Sequence, residues 1–360
     1  MNPLLVTATR EGCGKTGIAL GFALEATARG YSVGYMKPKG TRVQSHGGRI
    51  IDTDPLLAQD LLGLEHDVDE MEPIVYSPTF VDQAITQSLE SAGLPALVRD
   101  QFRTVAEGHD LVVVEGGGSY TTGGIIDLTD ADVAELLDAE SLLVAPFEHP
   151  EDVDEVLAAA DALGERLTGV VFNPVPDEQF DYVEENVVPF LEARDVPVVG
   201  ILPRVKDLVG VPIPELADHL NASVLTRTEP GETVERFLVG AMSSESALRY
   251  FRRTRDAAVI TGADRSDLVS VALEAAGVNC VVLTGGFRPD DALRSKAERN
   301  DVPLLLVQTD TLTTVERGET LVRSGRVRDE STVRLVRDLL AEHADVDAVL
   351  SSLPPAANAD

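Results

Sequence analysis

A chain of 360 residues is long enough for two ordinary domains, and 44% apolar residues suffice to build buried cores. Its 61 acidic against 30 basic residues leave a formal charge of −31, which repels nucleic acid and anionic membrane and argues against both as partners. Two cysteines, Cys13 and Cys280, and six histidines without zinc spacing argue against a disulfide framework and a structural metal.

No uncharged apolar run of about 18 residues occurs, so no transmembrane span is expected. The start, Met1-Asn2-Pro3-Leu4-Leu5-Val6, lacks the charged region and cleavage site of a signal peptide. A cytoplasmic protein is therefore expected. Only five of the thirty cations are lysines. Carboxylates spread along the chain with so few lysines suit a halophilic protein, because molar salt shortens the screening length to about 3 Å and makes self-repulsion tolerable.

In chain order, residues 4–9, 32–38, 110–115, 142–147, 167–173 and 198–203 are short Val/Ile/Leu runs of strand length. Segments of helical period lie between most of them, at 16–29, 131–139 and 152–163. Continuous apolar strands alternating with helices predict an α/β fold, with a parallel sheet covered on both faces and right-handed crossovers. Residues 73–108 carry a helical pattern that Pro95 is expected to break, beside the ligand-binding edge of the sheet.

The Pro-rich run at 211–214 reads as a linker. Beyond it, strands at 236–242, 258–261, 280–284 and 304–308 alternate with helices at 244–253, 267–276, 290–300 and 332–343, which predicts a smaller second α/β domain. The expected boundaries are 1–205 for the first domain, 206–215 for the linker, 216–350 for the second domain and 351–360 for a disordered tail.

The first strand runs into Thr9-Arg10-Glu11-Gly12-Cys13-Gly14, and an Ala/Leu-rich helix opens at Lys15-Thr16-Gly17. A phosphate-binding P-loop needs this context, since glycines let backbone N–H groups turn inward and the helix N-terminus adds its positive dipole. Arg10, Gly12, Cys13, Gly14, Lys15, Thr16 and Gly17 are therefore expected to hold the phosphates of ATP. Lys15 is expected on the β- and γ-phosphates and Thr16 on Mg²⁺. The loop departs from G-x-x-x-x-G-K-[ST] at its first position, which is Thr9.

Three further strand ends carry candidate groups. Lys37 offers a second cation to a transferring γ-phosphoryl or a substrate carboxylate, so Lys15 and Lys37 form the expected catalytic pair. Glu115 ends a Leu-Val-Val-Val strand before three glycines and can approach Mg²⁺ closely. Asn173 presents donor and acceptor to a purine edge, although an Asn-Pro turn reads equally well locally.

On these residues the first 205 positions resemble the dethiobiotin synthetase-like branch of the P-loop ATPases. Gly34-Tyr35-Met36-Lys37-Pro38 is similar to that family's second-strand lysine motif, and Val113-Val114-Glu115-Gly116-Gly117-Gly118 to its acidic motif. Gly169-Val170-Val171-Phe172-Asn173 is similar to its base-binding strand. The resemblance implies ATP and Mg²⁺ as cofactors, with Thr16, Asp54 and Glu115 at the metal and Asn173 at the base. Asp52 competes with Asp54.

Arg10 lies five residues before Lys15, where the related partitioning ATPases place a lysine that reaches across a dimer. It either mimics that charge or makes a local contact such as one with Glu11. Cys13 reads as a small residue that fits the loop rather than a redox switch. A homodimer around the nucleotide is implied by the branch.

In the second domain, Val259-Ile260-Thr261-Gly262-Ala263-Asp264-Arg265-Ser266-Asp267, Leu283-Thr284-Gly285-Gly286 and Thr309-Asp310-Thr311 resemble the DRTGG domain. That module follows a dethiobiotin synthetase-like domain in the N-terminal regulatory part of long phosphotransacetylases. Fewer than about 30 residues remain beyond it, too few for the transacetylase catalytic domain, which is expected to be absent. Arg249, Arg252, Arg253 and Arg255 form a basic run that either meets a phosphate or acidic partner or is a solvated helix face.

The functional expectation is an ATP/Mg-binding regulator linked to phosphotransacetylase and acyl-phosphate metabolism, touching a metabolic enzyme through the second domain. The alternative is an ATP-dependent ligase of the dethiobiotin synthetase type acting on a carboxylate or carbamate. Against the ligase, Lys39-Gly40-Thr41-Arg42 stands where the synthetases have small polar residues around their substrate. A partitioning-type ATPase ranks third, for want of the signature lysine and a basic membrane helix.

Overall fold

Six parallel strands, each a run of β-branched and aliphatic residues, form the first sheet of the computed structural model. They are β1 (Asn2–Ala8), β2 (Val33–Met36), β3 (Leu111–Glu115), β4 (Glu140–Ala145), β5 (Leu167–Val175) and β6 (Val198–Pro203). The structure describes residues 2–353 apart from 42, 47–48, 89–90, 206–207, 209, 227–232, 241 and 324–328. The strand order is β6-β5-β4-β1-β3-β2, so the winding reverses at β1 between β3 and β4. The carboxyl ends around that reversal are where an open parallel sheet binds ligands.

Every residue of β2 and β3 is buried, as strands covered on both faces require. One core packs Leu5, Tyr35, Val112 and Val114 against Phe102 and Val133, and a second packs Leu143, Phe147 and Phe172 against Val156 and Leu191.

The helix α1 (Lys15–Ala28) follows β1 and buries Ile18, Ala19, Leu20, Phe22 and Ala23, so it is apolar all round rather than striped. A helix of that kind needs partners on more than one side. The sheet is one, and the helix Glu330–His343 is the other. A Cβ on Gly21 would lie 3.1 Å from the Arg337 backbone nitrogen and 3.2 Å from the side chains of Val336 and Leu340, so glycine permits this close approach.

The return of the chain to α1 differs from the expected boundaries. Two compact units separate as Met1–Arg204 with Val327–Asp360, and Val205–Arg326. The second unit is thus inserted into the first, whereas the sequence placed residues 216–350 in one domain. The helix Val346–Ser352, capped by Asp345 Oδ1 accepting from Ala348 N at 2.9 Å, also belongs to the first unit. It includes Ser351 and Ser352 of the expected tail, and residues 354–360 lie outside the described residues.

Two local expectations also change. Pro95 starts the helix Leu94–Ala106 instead of breaking it, because its missing N–H is harmless in a first turn. That helix buries Val98, Phe102 and Val105 against the core beside β2 and β3. The Pro-rich stretch is not a free linker either: Val211–Pro212 pairs with Thr233–Val234, and Pro214 opens the helix Ile213–His219.

The second unit holds a sheet of β7 (Ser223–Val224), β8 (Arg236–Val239), β9 (Ala257–Gly262), β10 (Val278–Thr284) and β11 (Leu304–Leu306) in the order β7-β11-β10-β9-β8. All its pairings are parallel except that of β7. Alternation shows both faces covered: Val259, Val281, Leu283 and Leu304 face one core, Ala258, Ile260, Cys280 and Leu305 the other. Among the described residues no helix is long and apolar enough to cross a membrane.

Candidate functional site

The loop between β1 and α1 turns on two glycines in the left-handed region, Gly12 at φ 80° and Gly14 at φ 81°. Gly14 is the N-cap of α1, which has neither a capping side chain nor an acidic residue in its first turn. Elsewhere Thr129, Asp290, Asp329 and Asp345 cap helices with their side chains. In so acidic a chain, an uncapped first turn leaves N–H donors and the positive end of the dipole for an anion.

Lys15 is buried and donates to the Gly118 carbonyl at 2.9 Å, across the cleft from the loop after β3. Burial lowers its pKa, opposed by Asp130 and Glu115. A bound phosphate would reinforce the charged form. Cys13 is buried, its Sγ contacts the Arg10 carbonyl at 3.2 Å, and burial raises its pKa, which fits an inert small residue. Gly17 is buried within the first turn of α1.

Thr16, Lys37, Asp54 and Glu115 converge in the structure. The Thr16 hydroxyl lies 2.7 Å from Glu115 Oε1 and 3.2 Å from Asp54 Oδ2. Lys37, just past β2, is 2.8 Å from Asp52 Oδ2 and 3.5 Å from Glu115 Oε1, and pairs with Asp54 Oδ2. Burial alone would lower the Lys37 pKa, but Asp54, Glu115 and Asp52 outweigh it and hold the ammonium above the ordinary lysine range. The hard oxygens of Thr16, Asp54 and Glu115 suit Mg²⁺. Among the described residues no group of three or more His, Cys, Asp or Glu forms a metal cage by itself.

Several residues beyond the expected site set support this cluster, among them Asp52, which the sequence offered only as a competitor of Asp54. Tyr35 donates to Glu115 Oε2 at 2.6 Å, and burial with the nearby Glu115 charge raises its pKa well above the ordinary value. Asp52 accepts from Asp54 N at 3.0 Å and Thr41 N at 3.1 Å, so it shapes the turn that presents Asp54. Glu72 accepts from Asp52 N at 2.9 Å, while its Oε1 is buried without a hydrogen-bond partner among the described residues. Lys39 pairs with Asp130 at 3.0 Å, donates to the Thr122 carbonyl at 2.8 Å and also bonds the Leu128 carbonyl. The legible signal was lysine scarcity: three of the five lysines, Lys15, Lys37 and Lys39, are buried around this cleft.

Arg10 pairs with Glu148 and Asp152 at 3.5 and 3.6 Å, not with Glu11. Asn173 Nδ2 donates to the Cys13 carbonyl at 2.8 Å, so it braces the loop. Gly14 makes room for it, since a Cβ there would lie 2.5 Å from Asn173 Nδ2. On the second unit, Arg265 donates to the Met242 carbonyl at 3.0 Å, and the Thr284 and Thr311 hydroxyls meet at 2.9 Å. Gly285 N and Gly286 N donate to Thr309 and Val307 carbonyls, so much of this rim's polarity is satisfied internally. Arg249, Arg252, Arg253 and Arg255 are exposed.

Residues 2–211, which include the loop and all four converging side chains, match the AAA domain family, and residues 215–321 match the DRTGG domain. The chain belongs to the AAA domain family, in its dethiobiotin synthetase-like P-loop form, and carries a DRTGG domain. It is 25% identical to the phosphate acetyltransferase of Haemophilus influenzae over 96% of this chain and 52% of that protein. It is 32% identical to the ATP-dependent dethiobiotin synthetase of Rhodococcus jostii over 56% of this chain and 87% of that protein. Among solved structures, the CBS and DRTGG regulatory region of Clostridium perfringens pyrophosphatase is 20% identical, covering 50% of this chain and 85% of that one, with a TM-score of 0.27. The chain spans about half the length of the phosphate acetyltransferases it matches.

Proposed function

We propose that this protein is a nucleotide-dependent regulator: it binds ATP with Mg²⁺ at the Gly12–Thr16 loop, and its DRTGG unit conveys the bound state to an enzyme of acyl-phosphate metabolism. The observation that carries this reading is the alignment of 96% of the chain with half of a phosphate acetyltransferase. The uncapped α1 N-terminus and the buried Lys15 supply the anion-binding end.

On this reading Lys15 exchanges the Gly118 carbonyl for β- and γ-phosphate oxygens, and Lys37 faces the γ-phosphoryl. Thr16, Asp54 and Glu115 hold the metal, whose charge offsets that of the phosphates. The acidic surface suits work at high salt, where a partner is best sought. Pull-down from a high-salt lysate, with and without ATP and Mg²⁺, tests the regulator. Nucleotide-dependent retention of an acyl-phosphate enzyme is expected, and retention of none in either state contradicts the reading.

A second reading is an ATP-dependent ligase, favoured by the dethiobiotin synthetase match over 87% of that relative. Lys39 weighs against it, because its ammonium is spent on Asp130 and two carbonyls rather than held for a substrate carboxylate. ATP-dependent ring closure of a diamino acid with CO₂, releasing ADP and phosphate, would establish the ligase.

A further inference from the structure

The oxygens suited to a divalent cation already hold a cation of the chain's own. Asp54 Oδ2 and Glu115 Oε1, which receive the Thr16 hydroxyl, are the same atoms that contact the Lys37 ammonium, and Asp52 Oδ2 completes its surroundings at 2.8 Å. Lys37 and its three carboxylate partners are all buried. An ammonium and a divalent ion competing for two shared oxygens repel each other strongly in so poorly screened a place. Neither can be accommodated fully while the other stays.

We propose that Lys37 fills the divalent-cation seat in the nucleotide-free protein, so that metal is admitted only together with a nucleoside polyphosphate, whose phosphate oxygens draw the ammonium away. This rests on the nucleotide-binding reading above and adds an order of events to it. The phosphates give Lys37 a new anionic partner, and the vacated Thr16, Asp54 and Glu115 oxygens turn to the incoming metal. Metal and nucleotide thereby reinforce each other, and by linkage each raises the other's affinity by the same factor. On this exchange free divalent ions are kept from the site, because a tethered, buried cation holds it at high effective concentration.

Mn²⁺ binding followed by electron paramagnetic resonance, in nucleotide-free protein at high monovalent salt, tests the exchange. Lys37→Met should bind one Mn²⁺ at least about tenfold more tightly than wild type, because a repelling charge has left while the oxygens remain. Adding Glu115→Gln to that variant should abolish the gain. Lys37→Gln carries the same expectation if circular dichroism shows Lys37→Met misfolded. Equal Mn²⁺ affinity in wild type and a folded Lys37 variant overturns the exchange. A parallel titration of wild type with a fluorescent ATP analogue separates the two ideas: failure to bind it sinks the nucleotide reading, whereas normal binding with unchanged Mn²⁺ affinity sinks the exchange alone.

Discussion

Lys39 Nζ and Asp130 Oδ1 meet at 3.0 Å with neither side chain exposed to solvent. The other Asp130 oxygen accepts from the Thr7 hydroxyl at 2.6 Å, so one ion pair ties β1 to the segments after β2 and β3. A Cβ on Gly116 would lie 2.0 Å from Asp130 Oδ2, which is why glycine must follow Glu115. Lys39→Met would strand a buried carboxylate, and stability measured by urea unfolding is expected to fall by about 3–5 kcal/mol. A loss under about 1 kcal/mol would show that water or a neighbour replaces the lysine.

Asn173 reaches the Cys13 carbonyl, so its removal should loosen the phosphate loop before it affects any base. Asn173→Ala is expected to weaken ATP and GTP by the same factor, roughly fivefold to tenfold for one hydrogen bond of about 1 kcal/mol. Loss confined to one base, measured by competition titration, would instead place this side chain at the purine.

Part of the site is legible in the sequence and part only in the fold. Glu115 ends a strand, Lys37 follows one, and Lys15 and Thr16 open the helix after β1, so locating the strands and the first helix located them. Lys39 and Asp130 are 91 positions apart, and only the tertiary approach of a short strand and the start of a helix joins them. Asn173 was legible as a strand-end amide but not as a brace, because its partner lies 160 positions away. The docking of Glu330–His343 on α1 had a signal that went unused: an apolar-all-round helix with Gly17 and Gly21 must be covered twice.

That docking makes its own prediction. Gly21→Val would press methyl groups against the Arg337 backbone, which cannot retreat as a flexible side chain can. Overpacking of this kind should cost about 1–3 kcal/mol in urea unfolding. An unchanged midpoint would mean that the helix Glu330–His343 does not grip α1 in solution.

Burial is the largest influence that pushes the Glu72 carboxyl up to about 7, from an ordinary value of 4.5. Between those two values the folded chain keeps a proton that the unfolded chain has released. Stability is therefore lost as pH rises through that window and levels off above about 7. Glu72→Gln should flatten this part of the profile when urea midpoints are compared at several pH values. Parallel profiles for wild type and variant would contradict the assignment.

Isothermal titration of ATP with Mg²⁺ into wild type and Lys15→Ala bears most directly on nucleotide binding at the Gly12–Thr16 loop. Wild type should bind one nucleotide per chain, and Lys15→Ala should bind at least about tenfold more weakly, as expected for loss of a charge-assisted contact. Absence of binding by wild type, or equal affinity in the two proteins, would contradict it.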